Sequence, residues 1–303
     1  MNEVARIAID DGVAYIAWVE GGGERSVRLE GKMLRDVRRG LAPRPVVGDW
    51  VELSPDGMVV SLRPRRTRLA RKAAGVQDVE QVIAANVDVA FVATAADGDV
   101  NERRLERYLS VVLDGGVEPV VLLMKADACA DLEGERARVR SVAAGVEILA
   151  VSARTGEGVD AVARRITPGT LAVLLGSSGV GKSTLLNRLM GEARQRIGAL
   201  RDDGQGRHTT TRRELFVLPN GGLLVDTPGM REMGLIDAEE GLADAFPEVE
   251  AIAARCRFRD CKHGREPGCA VKEALERGEL DAQRYESWRK LAGEIEGRGK
   301  RRR

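Results

Sequence analysis

Residues 174–190 read LLGSSGVGKSTLLNRLM. Within them Gly176-Ser177-Ser178-Gly179-Val180-Gly181-Lys182-Ser183 fits G-x-x-x-x-G-K-[ST]. The apolar, strand-like run 171–175 (LAVLL) precedes this loop, and a helix-like segment, 184–190, follows it from Thr184 onward. Strand, glycine-rich loop and helix in that order make a cradle for phosphates. Glycines let the backbone turn its N–H groups inward, and the helix presents its positive end. Lys182 reaches the β- and γ-phosphates, and Ser183 offers a hydroxyl to magnesium. Residues Gly176 to Thr184 are therefore the candidate phosphate-binding set.

Upstream, residues 87–94 (VDVAFVAT) read as a buried strand, 101–114 (NERRLERYLSVVLD) as an amphipathic helix and 117–124 (VEPVVLLM) as a second strand. Strand, helix, strand implies a parallel sheet. Met124-Lys125-Ala126-Asp127 stands at the end of the second strand. After a further helix and the strand 146–151 comes Ser152-Ala153-Arg154-Thr155-Gly156. In an open α/β sheet ligands sit at the carboxyl ends of strands, so both segments can face one base. A carboxylate there pairs with guanine N1–H and its N2 amino group, neither of which adenine offers. Asp127 is thus expected to select guanine. Lys125 lays its aliphatic stem over the base plane, and the Ala153 N–H, in the turn begun by Ser152, donates to guanine O6.

Downstream, residues 223–225 read as a short strand ending in Asp226-Thr227-Pro228-Gly229. That pattern places a carboxylate near magnesium and the Gly229 N–H near the γ-phosphate. Between helix and strand runs 198–211 (GALRDDGQGRHTTT), polar and glycine-rich, a loop of the kind that orders around a bound triphosphate. Its threonines can supply magnesium with a hydroxyl; Thr210 is the candidate and Thr211 the near rival. Along the chain the segments run base, base, phosphate, switch, switch, which describes a circularly permuted GTPase domain. The segment sensing the γ-phosphate then leads directly into the C-terminal residues.

Composition bounds the rest. A chain of 303 residues with 43% apolar and 31% charged residues suits two or three domains of a soluble protein, expected in the cytoplasm. Residues 1–10 lack the pattern of a signal peptide, and no run approaches the roughly 18 apolar residues of a membrane span, so no membrane partner is expected. With a net charge of +1, nucleic-acid binding must come from local basic patches. Residues 4–9, 13–19, 26–29, 50–53 and 58–62 read as short strands, suiting a five-stranded barrel over 1–72. Its aromatic platforms are few, Tyr15, Trp18 and Trp50, so backbone contacts would dominate any RNA binding. Arg63, Arg65, Arg66, Arg68, Arg71 and Lys72 follow it. They form either a solvated linker or, the favoured reading, a phosphate-contacting stretch, since few acids are interleaved. The end 298–303 (RGKRRR) is likewise basic and reads as a disordered tail.

Cys256, Cys261, His263 and Cys269 form the pattern C-x4-C-x-H-x5-C. Three thiolates and an imidazole on short loops make a closed tetrahedral shell for one structural zinc. Cys129 stands apart and reads as a small apolar residue. Residues 270–277 and 281–295 read as helices, with Tyr285, Trp288 and Leu291 at helical spacing as core against the zinc unit.

The loop GSSGVGKSTLLN, the switch GRHTTT, the pair DTPG, the N-terminal barrel and the C-x4-C-x-H-x5-C segment together resemble the ribosome small-subunit-dependent GTPases of bacteria (RsgA-type) over nearly the whole chain. The resemblance implies an OB-fold that binds ribosomal RNA (1–72), a central permuted GTPase (73–236) and a helical zinc domain (237–303). It implies a monomer that acts with GTP and magnesium in late maturation of the small ribosomal subunit, with hydrolysis to GDP stimulated by that subunit. Two departures stand out. Most GTPases carry Asn where this chain has Met124, and that Asn ties the base loop to the phosphate loop, so weaker or less selective guanine binding is expected here. Position 230 is Met where many GTPases place a water-orienting Gln; His208, two residues before Thr210, is the candidate for that work. Two other classes fit less. A nucleotide-gated RNA-binding protein with little hydrolysis would explain both methionines, and a P-loop ATPase or kinase would leave Asp127 idle.

Overall fold

Strand β1 (Glu3–Asp10) opens an antiparallel meander with β2 (Tyr15–Val19) and β3 (Glu24–Leu29). After helix α1 (Gly31–Arg38) come β4 (Trp50–Leu53) and β5 (Met58–Leu62). These coordinates are a computed structural model that describes residues 3–11, 14–19, 23–72, 80–98, 100–177, 179–191, 213–226, 246–258, 261–264 and 266–300. The first five strands run in the order β1-β2-β3-β5-β4, and β4 returns to β1 from Glu3↔Leu53 to Arg6↔Trp50. That closure leaves a small barrel of the OB type, with β3 and β5 its parallel pair. Alternate residues Ala5, Ile7, Tyr15, Ala17, Val51 and Leu53 fill the interior, and Met33 of α1 packs against them. The sequence reading had no α1: eight residues are too few for the 3.6-residue period to show, and tertiary packing of Met33 and Val37 holds the helix.

The basic stretch after the barrel is not simply a linker. It continues into β6 (Arg68–Lys72), which pairs antiparallel with β7 (Glu80–Ala85). Arg65 grips the fully buried Asp49 along one guanidinium edge, Nε to Oδ1 and Nη2 to Oδ2, each 2.8 Å. Arg66 Nη2 donates to Asp88 at 3.0 Å. Arg63 Nε also lies 3.6 Å from Glu52 Oε1, so at least three of the six cations expected to meet phosphate bind acids within the fold. A buried carboxylate needs a bidentate partner to offset desolvation. Gly48 marks a close approach of barrel and β7: its φ is 92°, and a Cβ there would lie 2.1 Å from Ala85 O.

The second half of the sheet consists of β8 (Val89–Ala95), β9 (Glu118–Met124), β10 (Glu147–Val151), β11 (Leu171–Gly176), β12 (Arg213–Val217) and β13 (Leu223–Asp226). Interleaved helices are α2 (Glu102–Asp114), α3 (Leu132–Val142), α4 (Val159–Arg165) and α5 (Lys182–Met190). Asn101 caps α2 by accepting from Arg104 N–H. The order is β10-β9-β8-β11-β13-β12, parallel from β10 through β13. The strand that carries the glycine loop, β11, thus lies inside the sheet although it enters late in the chain. Apart from Thr94 in β8 and the exposed Glu118 that opens β9, the residues of β8, β9 and β11 are apolar and almost all buried, as parallel strands inside an α/β sheet are. β12, whose apolar stretch 215–218 is only four residues long and follows a polar loop, is not among the strands expected from the sequence. It runs antiparallel to β13 and also to β1, where Ile9 faces Glu214, so the barrel and the parallel sheet are hydrogen-bonded into one.

The chain divides into two units, Met1–Arg231 and Glu232–Arg303. The second holds α6 (Pro247–Ala253), α7 (Ala270–Glu276) and α8 (Ala282–Lys300) around Phe246, Val249, Ile252, Val271, Ala274, Leu280 and Tyr285. Helix α8 extends to Lys300, so residues 298–300 are helical where the composition suggested a disordered tail; 301–303 lie outside the described residues. Local i to i−4 hydrogen bonding continues an established helix cheaply even where composition is charged.

Candidate nucleotide site and metal centre

The phosphate loop leaves β11 at Gly176, whose φ of 134° and clearance exclude a side chain: a Cβ would lie 2.3 Å from Ala93 O on β8. Gly179 and Gly181 also take positive φ, 80° and 107°. Val180 is buried between them and pins the loop to the core, while Ser183 and Thr184 are exposed in the first turn of α5. Gly181 has no side chain to cap that helix, which leaves its first N–H groups for an anion. Lys182 Nζ folds over the loop and donates to Gly176 O and Ser177 O, 2.5 Å each. An ammonium held there is within a short swing of whatever the loop encloses.

Two strands away, Lys125 ends β9 in the left-handed region, φ 60°, and its Nζ binds Asp97 at 2.8 Å. Asp127 follows in a 3-10 turn, Ala126–Ala128. Its Oδ2 accepts from Arg154 Nε at 2.8 Å and Nη2 at 2.5 Å. The Ser152 hydroxyl and then the Arg154 guanidinium hold this carboxyl below the ordinary aspartate range. Ser152 is fully buried and its Oγ also accepts from Thr155 N–H, so the turn after β10 is fastened to the turn after β9. A part-buried carboxylate kept ionised at a sheet's carboxyl edge can receive a paired N–H edge from a planar base. The sequence reading assigned no role to Arg154, whose partner emerges only when β9 and β10 lie side by side.

Met124 sits at 1% exposure in the core beneath both loops. A Cβ on Gly181 would lie 3.3 Å from Met124 Cε, so the side chain touches the phosphate loop by apolar contact. The link that an Asn makes with hydrogen bonds is here made by packing, which carries no direction. Met124→Asn is expected to tighten GDP binding several-fold in a fluorescence titration; unchanged or weaker binding would count against that link.

Ser178, His208, Thr210, Thr211, Gly229 and Met230 lie outside the described residues, as does the side chain of Asp226, whose backbone ends β13 opposite Glu214.

The metal-ligand candidates do converge. Cys256, Cys261, His263 and Cys269 bring their ligand atoms within 4.8 Å of one another. Cys256 Sγ and Cys269 Sγ stand 3.6 and 3.4 Å from His263 Nδ1 and 4.0 Å from each other. Zinc bonds of about 2.3 Å to sulfur and 2.0 Å to nitrogen give tetrahedral edges of roughly 3.8 and 3.5 Å, so the cluster fits zinc. The sulfurs are twice too far apart for a disulfide, and all four cysteines are free. His263 adopts φ 56°, a left-handed conformation that costs energy in a non-glycine residue and turns its ring inward. Trp288 meets that ring edge-on at 5.5 Å and stacks on Tyr285, as expected for core aromatics. The His263 N–H favours the Cys261 thiolate, but burial and the neighbouring Cys269 and Cys256 push the thiol up to about 11. A divalent cation relieves that crowding by replacing the thiol protons. Cys129 is part-buried beside the 3-10 turn and outside this cluster.

A parallel sheet with a glycine loop on an inner strand, reached only after the base-facing strands, defines a P-loop GTPase fold in circularly permuted order. The chain belongs to the RsgA GTPase family, whose sequence pattern matches residues 62–236. A protein of Opitutus terrae named small ribosomal subunit biogenesis GTPase RsgA is 44% identical over 96% of this chain and 83% of its own length. One of Xylella fastidiosa with the same name is 50% identical over 86% and 79%. Among solved structures, YjeQ from Thermotoga maritima superposes with a TM-score of 0.58 and 26% identity, covering 98% of this chain and 99% of its own. YloQ, titled a circularly permuted GTPase, gives 0.52 and 25%, covering 98% and 96%.

Proposed function

We propose that this chain is a GTPase that binds the small ribosomal subunit and acts in its late maturation, hydrolysing GTP to GDP and phosphate with turnover stimulated by the subunit. The observation that carries the reading is the meeting, at one edge of a permuted sheet, of the Gly176–Lys182 loop with Asp127 and the Ser152–Ala153 turn in a chain of this family. Asp127 takes guanine N1–H and the N2 amino group, the Ala153 N–H donates to O6, and Lys125 covers the base. Lys182 and the N–H groups of Gly176 to Thr184 hold the phosphates. Ser183 and Thr210 would hold the magnesium that accompanies GTP, which would supply positive charge against the phosphate oxygens. Asp226 and Gly229 sense the γ-phosphate. Water attacks the γ-phosphorus as the bond to the bridging oxygen breaks, and His208 orients that water, since Met230 cannot.

The division 1–72, 73–236 and 237–303 gives an RNA-binding barrel, the catalytic domain and a zinc domain with one structural zinc on Cys256, Cys261, His263 and Cys269. Ribosomal RNA meets the barrel and the basic stretch that follows it. Among the described residues no helix is long and apolar enough to cross a membrane. The protein works as a monomer in the cytoplasm, where its ligand thiols stay reduced.

Steady-state hydrolysis of GTP and ATP, alone and with small ribosomal subunits at fixed magnesium and salt, tests this. Stimulated turnover of GTP and none of ATP is expected, with His208→Ala lowering the stimulated rate about a hundredfold and sparing GDP affinity. Equal use of ATP, or no response to the subunit, would overturn the reading. Full stimulated turnover in the His208 variant would remove that residue from it.

A further inference from the structure

Helix α5 does more than follow the phosphate loop. Its Arg188, one and two-thirds turns beyond Lys182, leaves the exposed flank of the helix and reaches the turn after β10. There Nε donates to Ala153 O at 2.8 Å and Nη2 donates to Arg154 O at 2.6 Å. The turn is shaped to receive it. Gly156 takes φ 98°, and a Cβ at that position would lie 3.2 Å from Arg188 Nη1, so a side chain there would press on the guanidinium. From the two pinned carbonyls the connection continues outward, because Arg154 in turn binds Asp127. A chain of charge-assisted hydrogen bonds thus runs from the phosphate-loop helix through residues 153–154 to the carboxylate at the base-facing edge. Met124, by contrast, contributes undirected apolar contact.

We propose that Arg188 is a positioning residue: it holds the Ala153–Arg154 turn at a fixed distance and angle from the phosphate loop, supplying the directional coupling between base and phosphate subsites. A guanidinium with two parallel donors fixes a peptide's orientation as well as its distance, which a single amine does not. The coupling matters because guanine and phosphates belong to one molecule. A base turn that wanders relative to the loop lowers affinity for the whole nucleotide without touching either fragment's own contacts. This proposal rests on the guanine-site reading above, and the test separates the two.

The measurement is equilibrium binding of GDP, ADP and inorganic tripolyphosphate to the full-length protein and to Arg188→Ala and Arg188→Lys. In the unmodified protein GDP should bind far more tightly than ADP; if it does not, the guanine-site reading fails, whatever the variants do. Given that preference, Arg188→Ala is expected to weaken GDP about tenfold, two charge-assisted bonds being lost, and to leave tripolyphosphate within about twofold. Arg188→Lys is expected to recover part of the loss, since one amine reaches one carbonyl. GDP affinity unchanged in Arg188→Ala, or an equal loss for GDP and tripolyphosphate, would overturn the proposal. The first outcome means the turn holds itself; the second means the substitution damages the phosphate loop.

Discussion

Replacing Asp127 by Asn is expected to weaken GDP binding by about a hundredfold or more and to raise the affinity for xanthosine diphosphate, so that the base preference inverts. Guanine presents two adjacent donors, N1–H and the N2 amino group, and only a carboxylate accepts both. Xanthine keeps N1–H but carries a carbonyl at C2, and an Asn side chain offers the matching acceptor and donor. Sites that hydrogen-bond a substrate group discriminate far more strongly than apolar pockets, because a mismatch leaves buried polar groups unpaired. The part-buried setting of Asp127 keeps the figure at the lower end of that scale. Isothermal titration of the two diphosphates against both proteins reads it; an unchanged preference would remove Asp127 from base selection. The same titration run against pH carries a sign. Guanine needs the ionised carboxylate, and the Ser152 hydroxyl and Arg154 hold that form to lower pH than in an ordinary aspartate. GDP affinity should therefore be level through neutral and mildly acidic pH, falling only as pH passes below the usual aspartate range. The Asn variant should show no such fall.

The second large effect lies in the C-terminal unit. Removing zinc with a strong chelator, or making Cys256→Ser, is expected to unfold the segment around Cys256–Cys269 and α7 while Met1–Arg231 keeps its structure. The unit spans 72 residues by its bounds, 232 to 303, and its core is a short set of side chains gathered directly behind the ligands. A core that small supplies only a few kcal/mol, less than the roughly 10 kcal/mol of a structural zinc site. Trp288, edge-on to His263, should report the change by its fluorescence, with Trp18 and Trp50 in the barrel as a constant background. A folded unit after chelation, or a purified protein holding far less than one zinc per chain, would refute it.

Most of the architecture was readable because the decisive residues are local in the chain. A glycine loop between a strand and a helix needs its residues consecutive, and so does a ligand cluster on short loops, so Gly176–Ser183 and Cys256–Cys269 announce themselves. Strands β8, β9 and β11 are mostly buried and show as nearly continuous apolar runs. Even the permutation could be read, because segment order is a property of the sequence itself. Elements with weak local pattern were missed: α1 is short and polar, and β12 follows a polar loop and is fixed by pairing with β13 and β1.

What the chain order left open is how distant charges pair. Arg63 to Lys72 read as one basic run, yet the fold turns Arg65 onto Asp49 and Arg66 onto Asp88. Nothing local in the sequence singles out Arg154 or Arg188, yet they join Asp127, the Ala153 turn and α5. Long flexible side chains commit to partners only once the backbone has brought those partners within about 3 Å, and residues 27 or 35 apart in sequence give no hint of it. Motif and hydrophobic period are local and therefore legible; the electrostatic wiring between loops is set by sheet order, which brings the carboxyl ends of β9, β10 and β11 to one edge.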